Sequence, residues 1–219
     1  MLNKYIYFRN ETNKIERINT KTIKMIEVKI ETDDDVKVYE FPENWDEVTV
    51  EKFCNVYRQN YDNITEFEGS IYLLSALSGI EKEIIEMMDI NDFKNLLDKL
   101  KFIKQDVIKT ETESIMIGED EYFLQVDFNK FTTGEIITIE MILKKADNNI
   151  YQVMSELLCV FLRKKNGDKF EKFKTKMLER KEIFDTVSIS KIYHIFNFFL
   201  SGSDLFANNM KDYTEKLYQ

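Results

Sequence analysis

Apolar and charged residues alternate along two early stretches of the chain. In TIKMIEVKIE (residues 22–31), Ile23, Met25 or Ile26, Val28 and Ile30 are set among charges. In DVKVYEF (residues 35–41), Val36, Val38 and then Phe41 follow a similar rhythm. A period of two marks a half-buried strand, because successive side chains point to opposite faces. Between the stretches lies TDDD (residues 32–35), whose short oxygen-bearing side chains bond their own backbone in turns. The pattern predicts a β-hairpin, with KYIYF (residues 4–8) as a third strand.

From Thr49 the rhythm changes. Thr49 is placed to cap a helix that carries Val50, Phe53, Val56 and Tyr57 at helical spacing. EGSIYLLSALSGI predicts a second helix, stopped at Gly79, where glycine easily takes the left-handed C-cap. EKEIIEMM opens with acids that the helix dipole favours. NDFKNLLDKLKFI starts on an expected cap at Asn91, with Phe93, Leu96, Leu97, Leu100 and Ile103 on one face. Period two returns in ESIMIGEDEYFLQV, with Ile115 and Ile117 before a GED turn and Tyr122, Leu124 and Val126 after it.

Helices then resume. Thr133 is expected to cap GEIITIEMILKKA, and NIYQVMSELLCVFLRKK reads as a strongly apolar helix. DKFEKFKTKMLERKEIF predicts an amphipathic basic helix, SISKIYHIFNFFL a nearly all-apolar one, and SDLFANNMKDYTEKL closes the chain. The expected fold is α+β and predominantly helical, with an N-terminal β-hairpin and a second, inserted one. The partition is an N-terminal hairpin region at residues 1–44 and a helical body at 45–219 with its hairpin near 113–126, together one compact unit.

Composition narrows the class. With 43% hydrophobic and 32% charged residues over 219 positions, the chain is globular, not disordered. One proline and six glycines argue against long flexible linkers. Seventeen Phe and eleven Tyr favour cores and interfaces. The net charge of −9 opposes whole-surface attraction to nucleic acid or anionic lipid. The N-terminus has no apolar signal core, and no stretch approaches the ~20 apolar residues of a membrane span. A cytoplasmic protein, or one carried inside a particle, is expected.

Catalytic chemistry has little to stand on. His194 is the only histidine and lies in an apolar run without a flanking ligand pattern. Cys54 and Cys159 lack the paired spacing of a zinc site and read as buried thiols. Asp33, Asp34 and Asp35 lack the alternation, glycine and closing glutamate of a calcium loop. Neither a GxxxxGK[ST] nor a GxGxxG phosphate loop is present. No catalytic, metal or cofactor site is expected, and the chain reads as a non-enzyme.

One stretch opposes the acidic balance. From 163 to 181 the cations are Arg163, Lys164, Lys165, Lys169, Lys172, Lys174, Lys176, Arg180 and Lys181, against Asp168, Glu171 and Glu179; nine minus three leaves +6. Phe170, Phe173 and Met177 would form one stripe on a helix there. The stretch reads as a core-facing helix with a cationic outer face, as a docking face for an acidic partner chain, or as a nucleic-acid contact. The last is disfavoured, because a recognition module or exposed stacking aromatics would accompany it. Ile192 to Leu200, with Phe198 and Phe199, is apolar on nearly every side and reads as a central core helix or a partner-binding element.

FPENWDEVTVEKF (residues 41–53) holds the only proline, Pro42, and the only tryptophan, Trp45. Proline fixes φ and lacks a donor, which suits the end of an edge strand, and Trp45 can fold over the corner between strand and helix. A partner-binding role for Trp45 is the alternative. The strand ending in a Pro-and-Trp turn, the following helix, the Gly-Ile after the second helix, FNKFTTGEII and the closing aromatic helix together resemble a family. They resemble virion and tail-assembly proteins of tailed phages, the crAss-like phages and their relatives, over roughly residues 41–205. That resemblance carries no catalytic residues. It implies a non-enzymatic, multi-copy neck or tail ring component, a homo-oligomer among other phage structural proteins, in the virion or the infected cell's cytoplasm. A tail-assembly chaperone not retained in the particle is one alternative, and a nucleic-acid-binding accessory protein another.

Overall fold

The computed structural model describes residues 6–9, 26–31, 36–59, 61–107, 114–125, 127–146 and 149–201. The fold is α+β and mainly helical, with three small antiparallel sheets among the described residues. Packing gathers the chain into two units, residues 1–107 and 108–219. The N-terminal hairpin therefore groups with the first helices, whereas the sequence pattern suggested a break at 44–45.

In the first unit, β1 (Ile6–Arg9), β2 (Ile26–Glu31) and β3 (Val36–Phe41) form one sheet in that order. The register pairs Val28 with Tyr39, Ile30 with Lys37 and Ile26 with Phe41. Parity then decides the faces. Val28, Ile30 and Phe41 are buried, while Val36 and Val38 lie on the opposite face and stay exposed. The expected TDDD turn lies outside the described residues.

After Phe41 the chain turns through a 3-10 segment at Trp45–Glu47, where the Asn44 carboxamide accepts the Asp46 amide at 2.9 Å. Helix α1 (Val50–Arg58) is capped by Thr49, whose hydroxyl accepts from the Lys52 amide. Helix α2 (Glu66–Ser78) begins on a reciprocal Thr65–Glu68 capping box and ends at Gly79, with φ of 78°. It packs against β3, which brings the hairpin into the core of this unit. Short α3 (Lys82–Glu86) leads to α4 (Ile90–Lys99). The cap of α4 is Asp89, not Asn91: the Asp89 carboxylate accepts the Asn91 amide at 2.8 Å, so Asn91 is already inside the first turn. A carboxylate there also meets the positive end of the helix dipole.

In the second unit, β4 (Ser114–Ile117) and β5 (Asp120–Leu124) form the expected hairpin, and Ile115 and Tyr122 pair across it, both buried. Gly118 takes the first loop position at φ of 61°. Val126, expected in the second strand, lies outside the described residues. Helix α5 (Thr133–Lys145) is capped by Thr132, one residue before the expected Thr133, because Glu135 can reach back only to the Thr132 amide.

The apolar segment expected to run as a helix to Lys165 does not. Helix α6 (Met154–Phe161) stops at Phe161, and β6 (Leu162–Arg163) joins β5, pairing Leu162 with Leu124. A run of bulky apolar residues suits a buried strand as well as a helix, and the open edge of β5 settled it. The tiny ribbon β7 (Lys165–Asn166) and β8 (Lys169–Phe170) follows. Next come α7 (Lys181–Asp185) and α8 (Ile189–Ser201), which buries Ile189, Ile192 and Ile195. The expected closing helix after residue 202 lies outside the described residues. No helix among the described residues is long and apolar enough to cross a membrane.

Candidate functional site

The basic stretch is the principal correction to the sequence reading. It is not one amphipathic helix. Residues 165–170 form the β7–β8 ribbon, 171–174 run without regular structure, and 175–180 make a 3-10 turn that leads into α7. Gly167–Asp168 is the signal that sequence reasoning missed, since a Gly-Asp pair between strand residues marks a two-residue hairpin loop. Gly167 occupies the first loop position at φ of 61°, a conformation that side chains resist. Phe170, Phe173 and Met177 therefore do not make a helical stripe; Met177 is buried and the two rings are half-buried.

This geometry sorts the cations into bound and free. Arg163 is buried, paired with Glu135, and donates from Nε to the Val160 carbonyl at 2.8 Å. Lys164 reaches Asp120 at 2.6 Å, which raises its pKa. Lys165 sits over Phe123 at 4.2 Å and Phe170 at 4.9 Å from the ring centres. Arg180 grips both oxygens of Glu171, and Lys181 pairs with Asp185. Burial pushes the Glu171 carboxyl up, but the Arg180 fork and the Lys164 amide outweigh it and hold it below its ordinary range. Lys169, Lys172, Lys174 and Lys176 remain, all exposed and with no ion partner among the described residues.

Three of those lysines line an open groove of about 720 Å³. Lys172, Lys174 and Lys176 stand with Arg180 along it, Met177 and Ile183 supply apolar surface, and Glu171 and Glu179 complete the lining. Ile183 is 44% exposed, a greasy contact within reach of the cations. Fixed cations around an apolar floor can hold a carboxylate-bearing segment that also carries apolar side chains.

Neither a known protein family, nor a curated protein, nor a solved structure matches the chain.

The other residues singled out from sequence lie apart from the groove. Trp45 is half-buried in the first unit, with its ring edge-on to Phe102 at 5.3 Å and to Phe53 at 6.1 Å. Its indole N–H donates to the Gln105 carbonyl at 2.9 Å, so both ends of the side chain are engaged within the fold. Phe53 lies in the helix that follows the corner, as a fold-over of that junction requires, whereas Phe102 and Gln105 are distant in sequence. Phe198 and Phe199 fall on α8, but their side chains lie outside the described residues. His194 is half-buried on the same helix. Cys54 and Cys159 are buried and not joined in a disulfide, and burial pushes the Cys159 thiol up to about 12. A thiol so rarely ionised is a poor nucleophile. Among the described residues, no cluster of His, Cys, Asp and Glu could hold a metal ion.

Proposed function

We propose that the chain is a non-enzymatic assembly protein that acts by binding other protein chains, with the groove at residues 171–183 as a docking face. The observation that carries this is the set of three exposed lysines, Lys172, Lys174 and Lys176, unpaired around Met177 and Ile183. Ion pairs inside the fold absorb Arg163, Lys164, Arg180 and Lys181, whereas Lys172, Lys174 and Lys176 have no ion partner among the described residues. Two features favour an acidic protein surface over a phosphate backbone. Met177 and Ile183 offer apolar contacts that a phosphate chain does not use, and Lys165 lies over the neighbouring rings of Phe123 and Phe170, where bases would stack. The phage resemblance supplies the setting: a multi-copy neck or tail component.

A fluorescent oligo-glutamate peptide carrying interspersed leucines should bind the full chain, and Lys172→Glu, Lys174→Glu and Lys176→Glu together should abolish binding. Tighter, steeply salt-dependent binding of a DNA or RNA duplex at the same lysines would replace the reading with a nucleic-acid one. Mass spectrometry of purified particles separates the two assembly roles. Many copies in the particle mean a structural component; presence only in the infected-cell lysate means a chaperone.

A further inference from the structure

The first unit carries a surface of opposite character. Phe67 on α2 is 53% exposed and stacks on Phe93 of α4 with ring centres 4.9 Å apart. Ile90, one turn before Phe93, is 46% exposed, and Met87 just ahead of it is 59% exposed. Large apolar side chains left open beside one another are a feature of interaction sites. Acids surround them. Between residues 66 and 92 there are seven carboxylates and one lysine, and of these carboxylates Glu81 is paired with Lys37. Lys82, the one lysine, lies over the Tyr72 ring at 3.4 Å. Glu66 adjoins Phe67, Glu86 adjoins Met87, and Glu83 and Asp92 lie within a turn of Met87 and Ile90; none of the four has an ion partner among the described residues.

We infer that a second copy of this chain occupies the basic groove: the acidic face around Phe67, Met87 and Ile90 of one copy docks on Lys172, Lys174, Lys176 and Ile183 of the next. The inference rests on the groove being a protein-docking face and names its occupant. Charge complementarity carries it. Glu66, Glu83, Glu86 and Asp92 of one surface meet Lys172, Lys174 and Lys176 of the other, groups that the fold leaves without ion partners among the described residues, and each surface offers apolar contacts within its charged rim. The overall charge of −9 makes two copies repel at long range. At a Debye length of ~10 Å in ~0.1 M salt that repulsion fades, and the local attraction across a closed contact survives. Because the two faces differ, the contact is head-to-tail, and such contacts repeat into a ring when the rotation closes and into a filament when it does not.

Sedimentation velocity of the full chain, at about 0.05 M and about 0.5 M salt, tests it. Wild type should associate at low salt and dissociate as salt rises. The groove variant K172E/K174E/K176E and the face variant E83K/E86K/D92K should each weaken association by about tenfold or more. One chain carrying all six changes should associate again, because the charges are exchanged and not lost. K172Q/K174Q/K176Q, with circular dichroism beside it, checks that the fold is intact. Wild type that stays monomeric at low salt overturns the inference, as does a six-fold variant no better than either triple. If wild type is monomeric yet binds the oligo-glutamate peptide at the groove, self-docking is wrong while the groove remains a protein site. If neither binding occurs, both fail.

Discussion

The side chain most exposed to disruption by a single change is Arg163. It pairs with Glu135 inside the second unit, and the two side chains are 5% and 2% exposed. Its guanidinium lies 5.3 Å from the centre of the Phe131 ring and 5.6 Å from that of Phe173. Glu135 also accepts the Thr132 amide at the start of α5, so one carboxylate closes a helix cap and neutralises a buried cation. Glu135→Ala strands the cation and should cost about 3–5 kcal/mol in urea unfolding. Glu135→Met with Arg163→Met removes both charges and should cost less than the single change. Equal losses for the two variants would show that charge pairing is not the source. Trp45 offers the second prediction at this scale. Trp45→Ala removes ring contacts to Phe53 and Phe102 and the bond to Gln105. Because the ring is only half-buried, the loss should fall below the ~3–5 kcal/mol of a fully buried tryptophan, at about 2–3 kcal/mol. Thermal melting checks it; an unchanged melt with lost assembly would make Trp45 a partner contact.

Among elements, the link between β3 and the turn from α2 to α3 is electrostatic and pH-sensitive. Lys37 reaches Glu81 at 2.7 Å, and the Tyr39 hydroxyl donates to the same carboxylate. Hydrogen bonds from Lys37 first, then Tyr39, hold the Glu81 pKa down to about 2, from an ordinary 4.5. A depressed folded pKa means that the unfolded chain takes up the proton first as pH falls. The stabilisation is therefore complete above 4.5 and drains away between 4.5 and about 2. It is small, because Glu81 is 46% exposed and water screens the pair. NMR titration should place Glu81 well below other glutamates, and Lys37→Ala should move it up. A wild-type Glu81 titrating near 4.5 would remove the link. The elements themselves were read unevenly from sequence. Both hairpins, α1 with its Thr49 cap and α2 with its Gly79 stop were legible, because period and punctuation agreed there. The groove segment was not, because lysines and phenylalanines at mixed spacing fit several local structures and only Gly167–Asp168 spoke for a turn.

At the scale of the molecule, residues 1–107 and 108–219 each bury their own apolar set. Leu74, Leu77, Ile80 and Leu96 are almost fully buried in the first unit, and Ile139, Leu158, Phe161 and Phe184 in the second. Units of this length can support a core of their own. Residues 1–107 expressed alone should unfold cooperatively and give a dispersed NMR spectrum. A collapsed spectrum without a sharp transition would show that the first unit depends on the second.

Local chemistry was enough to determine the α+β class, the two expected hairpins, the Thr49 cap and the left-handed stop at Gly79. Each depends on residues a few positions apart, where side-chain geometry and backbone preference act directly. Tertiary structure alone decided that Val36 and Val38 face out while Phe41 faces in, because strand register sets the faces of the sheet. It decided that Trp45 reaches Phe102 and Gln105, and that Leu162 leaves its helix to pair with Leu124. It also decided which of nine cations are free. The charge of the basic stretch was plain in sequence, but the partners Glu135 and Asp120 lie far along the chain on other elements, whereas Asp185, four residues after Lys181 on the same helix, is local. A cation is available to a partner only after the fold has chosen which carboxylates to place beside it.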